Sequence, residues 1–128
     1  MTAREYVIKV PGRPYSLNAE RTRHWSDRAE RVAQFRRDAK LVTFEALGFV
    51  HAKPVLDAVT VEVFPWAIDR RYRQDVANCY GSFKACLDGA VDAGLIADDD
   101  DRYVKAVTFY PHQFGSDQMV LRFREVGS

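Results

Sequence analysis

Between residues 59 and 91 the hydrophobic pattern changes its period, and this change restricts the fold more than any other feature of the chain. Val59, Val61 and Val63 alternate with Thr60, Glu62 and Phe64, as in a strand with one buried face. Phe83, Cys86, Leu87, Ala90 and Val91 then recur at i, i+3, i+4, i+7 and i+8, which makes one apolar stripe along a helix. Each pattern has a single face to bury, so the helix must lie on a sheet. The N-terminal part repeats the theme. Glu5 to Val10 reads as a strand ended by Pro11-Gly12, and Pro14 to Trp25 has no period and reads as a polar loop. Val32, Phe35, Ala39, Val42 and Ala46 then mark a long helix, capped by Ser26 or Asp27 and ended at Gly48.

The valine strand runs from Val55 to Trp66, and Pro65 is expected to limit its pairing. The second helix begins near Val76 or nearer Ser82, since Gly81 weakens the earlier start, and Gly94 is its natural C-terminal cap. Tyr103 to Tyr110 and Gln118 to Val126 read as further strands, the last with Met119, Leu121 and Phe123 inward. The order βαβαββ predicts one α+β domain over residues 1–128, a single sheet covered by two helices. A composition of 47% hydrophobic and 29% charged residues suits a packed core and excludes a disordered tail, a collagen or a disulfide scaffold. No apolar run approaches the roughly 18 residues that cross a bilayer, and Met1 to Glu5 lacks the apolar core of a secretion signal. A soluble, cytoplasmic protein is the expectation.

Cys79 and Cys86 are seven residues apart on one helix, about 10 Å of rise, too far for a disulfide. With three scattered histidines, His24, His51 and His112, no zinc ligand set exists, so any metal must be held by oxygen. The net charge of +1 hides segregation. Residues 1–50 hold ten Lys/Arg against six Asp/Glu, residues 51–101 five against ten, and residues 102–128 four against two. A basic arm beside an acidic middle suits a chain that holds a polyanion with one surface and a divalent cation with another; ordinary solvated faces are the other reading.

The acidic middle carries the candidate chemistry. Asp75 precedes the second helix, and Asp98, Asp99, Asp100 and Asp101 follow it. Left at opposite tips of a helix of about 14 to 18 residues, these groups would stand roughly 20 to 27 Å apart, so convergence requires the chain to fold back. Strands ending near Trp66 and starting near Tyr103 would allow this if they were neighbours. Converging carboxylates bind Mg²⁺, which keeps several waters and takes phosphate oxygens directly. A solvated acidic turn is the alternative, and the spacing of an EF-hand is absent. Arg70, Arg71 and Arg73 stand before Asp75, where guanidinium groups could neutralise phosphates. Lys84 has Asp88 one turn later, the spacing of a simple helical ion pair.

At these residues the chain resembles the RusA family of Holliday junction resolvases, Mg²⁺-dependent homodimeric endonucleases of phage and prophage that act in DNA recombination and repair. The likeness runs from Pro11 to about Val104. Its specific part is Arg70-Arg71-x-Arg73 before Asp75-Val76-Ala77-Asn78, then Lys84 to Asp88, then Asp92-Ala93-Gly94 to Asp98-Asp99. The family pattern is similar to R-R-D-x-D-N, K-x-x-x-D and a-G-x-x-x-D-D-x-x-V. The resemblance implies Asp75 and Asp99 as metal ligands, with Lys84 as the catalytic lysine and Mg²⁺, or Mn²⁺ in its place, as the cofactor. Two departures stand out. Ala77 occupies the place of the second aspartate, and about three extra residues lie between Asn78 and Lys84. Asp98, Asp100 or Asp101 could supply the lost ligand, with Asn78 as a neutral oxygen.

Arg21, Arg23, Arg36, Arg37 and Lys40 join Arg70, Arg71, Arg73 and Lys84 as candidate phosphate contacts. Trp25 and Tyr15 are candidates for stacking on unpaired bases. The leading expectation is therefore a structure-selective endodeoxyribonuclease that resolves four-way junctions as a homodimer. Two rivals remain: a DNA-binding relative without turnover, favoured by Ala77, and a structural or adaptor domain with a solvated acidic turn.

Overall fold

A computed structural model describes residues 4–15, 25–49 and 54–126, except for the side chains of Trp25 and Ser26. The elements are β1 (Glu5–Pro11), α1 (Trp25–Ala46), β2 (Val59–Ala67), a 3-10 turn (Arg70–Tyr72), α2 (Tyr80–Asp92), β3 (Val104–Phe109), β4 (Gln113–Phe114) and β5 (Gln118–Glu125). The domain is α+β with a mixed sheet and two helices. The expected order lacked β4, a two-residue strand too short to show a period. The strand order is β1-β5-β2-β3, with β4 also on β2. Pairing of β1 with β5 and of β5 with β2 is antiparallel, whereas β3 and β4 run parallel to β2. Parallel neighbours need a crossover, and α2 supplies it between β2 and β3.

Pro65 does not end β2. Its antiparallel pairing continues through Pro65↔Met119 to Trp66↔Gln118. On the other edge, Val63 O accepts from Tyr110 N, and position 65, two residues on, turns its nitrogen to that same edge. There the partner changes from β3, ending at Phe109, to β4, starting at Gln113. The missing N–H falls in that gap and costs no ladder bond.

Ile8, Val10, Val59, Val61, Val63, Met119, Leu121 and Phe123 form the inner sheet face, all buried. Phe35 and Ala39 of α1 and Phe83, Cys86, Leu87 and Ala90 of α2 close over them. The α1 stripe departs from expectation at its end, where Ala46 is exposed and Thr43, one turn beyond Ala39, is buried. Cys79 and Cys86 are free thiols; burial pushes Cys79 up to about 11 and also raises Cys86.

Two features lock α2 in place. At its C-terminus Gly94 adopts φ 91°, Gly94 N donates to Val91 O and Leu95 N to Ala90 O, a Schellman motif with buried Leu95 beside Ala90. In its middle, α1 crosses at Gly89, where a Cβ would stand 2.4 Å from Arg36 O and 2.7 Å from Ala39 Cβ. The Arg36 side chain then reaches Asp92, one turn on, with bonds of 2.6 and 3.0 Å. Gly89→Ala gains about 1 kcal/mol of helix propensity but meets backbone that cannot move aside. We expect a net loss of about 1–3 kcal/mol in urea unfolding, the range for overpacking; unchanged or increased stability would show that the helices separate freely.

Candidate functional site

The second helix begins at Tyr80, between the two expected starts, with Cys79 as its N-cap residue. The turn before it is built on Asp75 and Ala77, whose carbonyls accept from Asn78 N at 3.0 Å and Tyr80 N at 3.1 Å. Ala77 holds φ 70°, a left-handed conformation that a residue with a Cβ adopts at a cost. Of the residues between Asn78 and Lys84, Cys79 is the N-cap and Tyr80 to Phe83 are already wound into the helix.

Beyond Gly94 the chain doubles back along α2. Val55 N donates to Gly94 O and Leu56 N to Leu95 O, while Leu95 and Ile96 are buried beneath. This return brings Asp99 onto Lys84, but it does not bring the aspartate turn to Asp75, the convergence the sequence reading required. Lys84 Nζ donates to Asp88 Oδ1 at 2.6 Å and to Asp99 Oδ2. One ammonium therefore bridges two carboxylates, with side chains 40%, 29% and 26% exposed for Lys84, Asp88 and Asp99. The bond from Lys84 holds the Asp99 carboxyl below its usual range. Burial pulls the Lys84 ammonium down, but the hydrogen bonds it donates to Asp88 and Asp99 outweigh this and raise its pKa. Asp88, expected as a helical ion-pair partner of Lys84 and as the last residue of the K-x-x-x-D motif, belongs to the group as the i, i+4 spacing signals.

The other aspartates are engaged elsewhere. Asp98 Oδ1 accepts from Asp99 N at 2.8 Å. Asp100 accepts from Arg102 through Nε, Nη2 and the backbone N, two residues on in the same turn. Asp101 is exposed. Asp75 is exposed too, and among the described residues its carboxylate has no hydrogen-bond or ion-pair partner. The expected neighbours β2 and β3 are adjacent, but their parallel pairing puts the loop after β2, with Asp75, at one end of the pair and the aspartate turn at the other. Among the described residues no three His, Cys, Asp or Glu side chains are grouped to hold a metal ion. Asp75, Asp98, Asp99 and Asp100 are thus not gathered as one ligand set.

The candidate phosphate contacts divide as well. Arg36 is paired with Asp92 and ties the helices. Arg71 is paired with Asp69 at 3.0 Å, and Arg70 lies over the Phe114 ring at 5.3 Å. Arg37 bonds Gln34 at 2.9 Å. Lys40 and Arg73 are exposed, and Arg73 stands at the end of the 3-10 turn. Arg21 and Arg23 lie outside the described residues, as does the Trp25 side chain. Tyr15 is a correction: it is 5% exposed and packs on Phe35 with ring centroids 5.9 Å apart, so it fills core and offers no face to a base. Sequence reasoning missed Arg13 and Asp117. Asp117 accepts from Arg13 and from Ile68 N, and Arg13 lies 3.7 Å from the Tyr72 ring centroid, which anchors the arginine loop.

No family model matches the chain, and no curated protein matches it in sequence.

The pH dependence of folding tests the ionic group. Asp99 and Asp92 ionise at lower pH folded than unfolded, where they titrate near 3.8. Their stabilisation is complete above that value and is lost as pH falls through the lowered folded values. Lys84 has the opposite sign: its share is complete below 10.5 and is lost as pH rises through the raised folded value. Urea unfolding of Asp99→Asn across pH 2 to 7 should show a shallower acid loss than the parent chain. Identical slopes would remove Asp99 from the group.

Proposed function

We propose that the chain is a Mg²⁺-dependent, structure-selective endodeoxyribonuclease that cuts four-way DNA junctions as a homodimer, a relative of the RusA resolvases. The observation that carries this reading is Lys84 held between Asp88 and Asp99 at a half-exposed position. The resemblance singles out Lys84 and Asp99 from motifs fifteen residues apart, and the chain folds back to join them.

The donor chemistry fits the implied ion. Two hard-oxygen carboxylates already enclose one cation, the Lys84 ammonium, and a divalent ion meets the same electrostatic demand. Asp99 and Asp88 would hold it, with water and phosphate oxygens completing its shell, since Asp75, Asp98 and Asp100 are not gathered with them. When bound, Mg²⁺ supplies water activation and stabilises charge on a phosphodiester under attack. With the ion held, Lys84 would be freed from one carboxylate and could offer its ammonium to a phosphate oxygen. A lysine ammonium, with an ordinary value of 10.5, carries its charge at neutral pH without that second bond. Arg73, exposed, and Lys40 beside the helix pair add positive charge for the strand. Ala77, standing where the family pattern has an acid, favours the second reading, a relative that binds junctions without cutting them.

A synthetic four-way junction incubated with and without Mg²⁺ separates these readings. Cleavage that needs the ion supports the enzyme, and Lys84→Ala and Asp99→Asn should each lower its rate by about 10²-fold or more while junction binding persists. Binding without cleavage in Mg²⁺ and Mn²⁺ establishes the second reading. Neither binding nor cleavage leaves a structural or adaptor domain.

A further inference from the structure

The helices cover one face of the sheet, and among the described residues no element covers the other. On that open face β2 presents Phe64 and Trp66, β1 presents Val7 and Lys9, and β5 presents Val120 and Arg122, which together line an open groove of about 370 Å³. Two physical features decide what such a groove can take. The first is aromatic. Phe64 is braced, stacked on Tyr110 with centroids 4.6 Å apart and with the Arg122 guanidinium 5.6 Å from its ring. Trp66 has no ring, hydrogen-bond or ion-pair partner among the described residues, so its indole offers a free π-face and a free N–H on a rigid central strand.

The second is charge. The lining holds two cations, Lys9 and Arg122, and no carboxylate; Glu62 pairs with Arg122 from outside the groove at 2.6 Å, which leaves Lys9 as the uncompensated charge. Gln113 and Gln118 add amides able to meet a base edge. Past Trp66, β2 runs into the loop that carries Arg70 and the exposed Arg73, while Arg71 is paired with Asp69. A second copy docked here about a two-fold axis would set this positive lining against itself. A polyanion with exposed π-faces has the complementary character, and a sheet face with aromatic residues beside basic ones is a general platform for unpaired nucleotides.

We propose that the open face of the sheet binds single-stranded nucleic acid, with an unpaired base stacked on Trp66 and Lys9 at its phosphate. This site lies across the sheet from Lys84 and does not depend on cleavage there. The test uses the full chain with Trp25→Phe, so that Trp66 is the sole reporter, and a twelve-nucleotide oligothymidylate without divalent metal. Indole fluorescence should be quenched on titration. Lys9→Glu, an exposed change that leaves the core untouched, should weaken binding about tenfold and reduce the salt slope by about 0.7 for the lost phosphate contact. Trp66→Leu, followed by anisotropy of a labelled oligonucleotide, should lose a similar factor. Absence of quenching, or affinity unchanged in Lys9→Glu, overturns the proposal. So does a sedimentation result in which Lys9→Glu dissociates a dimer while the oligonucleotide fails to bind, since the face then belongs to a second copy. Without divalent metal the titration is blind to cleavage, so its failure and that of the nuclease reading are separate results.

Discussion

The close crossing of α1 and α2 at Gly89 is the contact on which the rest of the domain depends. The backbone of Arg36 approaches so near that a methyl group would meet its carbonyl oxygen at 2.4 Å. Only with the helices at that distance do both reach the inner sheet face, and only then does Arg36 bond Asp92 on the next turn. The glycine lowers local helix propensity and is repaid by buried surface that neither helix would cover alone. Asp88, its neighbour, is thereby held at the solvent side of the same turn, facing Lys84.

From that arrangement the ionic site follows. The Schellman motif at Gly94 reverses the chain, and buried Leu95 and Ile96 press the returning segment against α2. Asp99 is carried to Lys84 as a consequence of apolar burial three and four residues earlier. Attraction between the charges then sets the final geometry, in a setting exposed enough that solvent keeps both groups ionised. The parallel pairing of β2 and β3 acts against a full acidic cluster, because it sends Asp75 out at the opposite end from the aspartate turn. Two constraints therefore compete over the carboxylates. The crossover separates them, and the doubled-back segment recovers one.

The two faces of the sheet show a division of labour. The inner face is filled by alternating Val, Ile, Leu, Met and Phe side chains and is fully covered. The outer face carries the partners of that alternation, among them Glu62 bound by Tyr110 at 2.8 Å and by Arg122 at 2.7 Å, beside Trp66, which has no partner among the described residues. The charged network gives half of the outer face a satisfied polar cover, and the aromatic half is left without one.

The periodic segments were legible from sequence alone. The inner faces of β2 and β5, the α2 stripe and the Gly94 cap follow from local spacing, since a residue's burial within one element is set by 100° or 180° steps along it. The role of Gly89, the harmless place of Pro65, the burial of Tyr15 and the presence of β4 were not legible, because each depends on a second segment distant in the chain. The same holds for the site. Residue types marked Lys84 and the aspartates as candidates, and i, i+4 spacing joined Lys84 to Asp88. That Asp99 meets Lys84 while Asp100 turns to Arg102 and Asp75 stays apart was decided by tertiary structure, by parallel strand pairing and by the return of the chain across α2. Local spacing determines which face a side chain takes; only the packing of elements determines what it meets there.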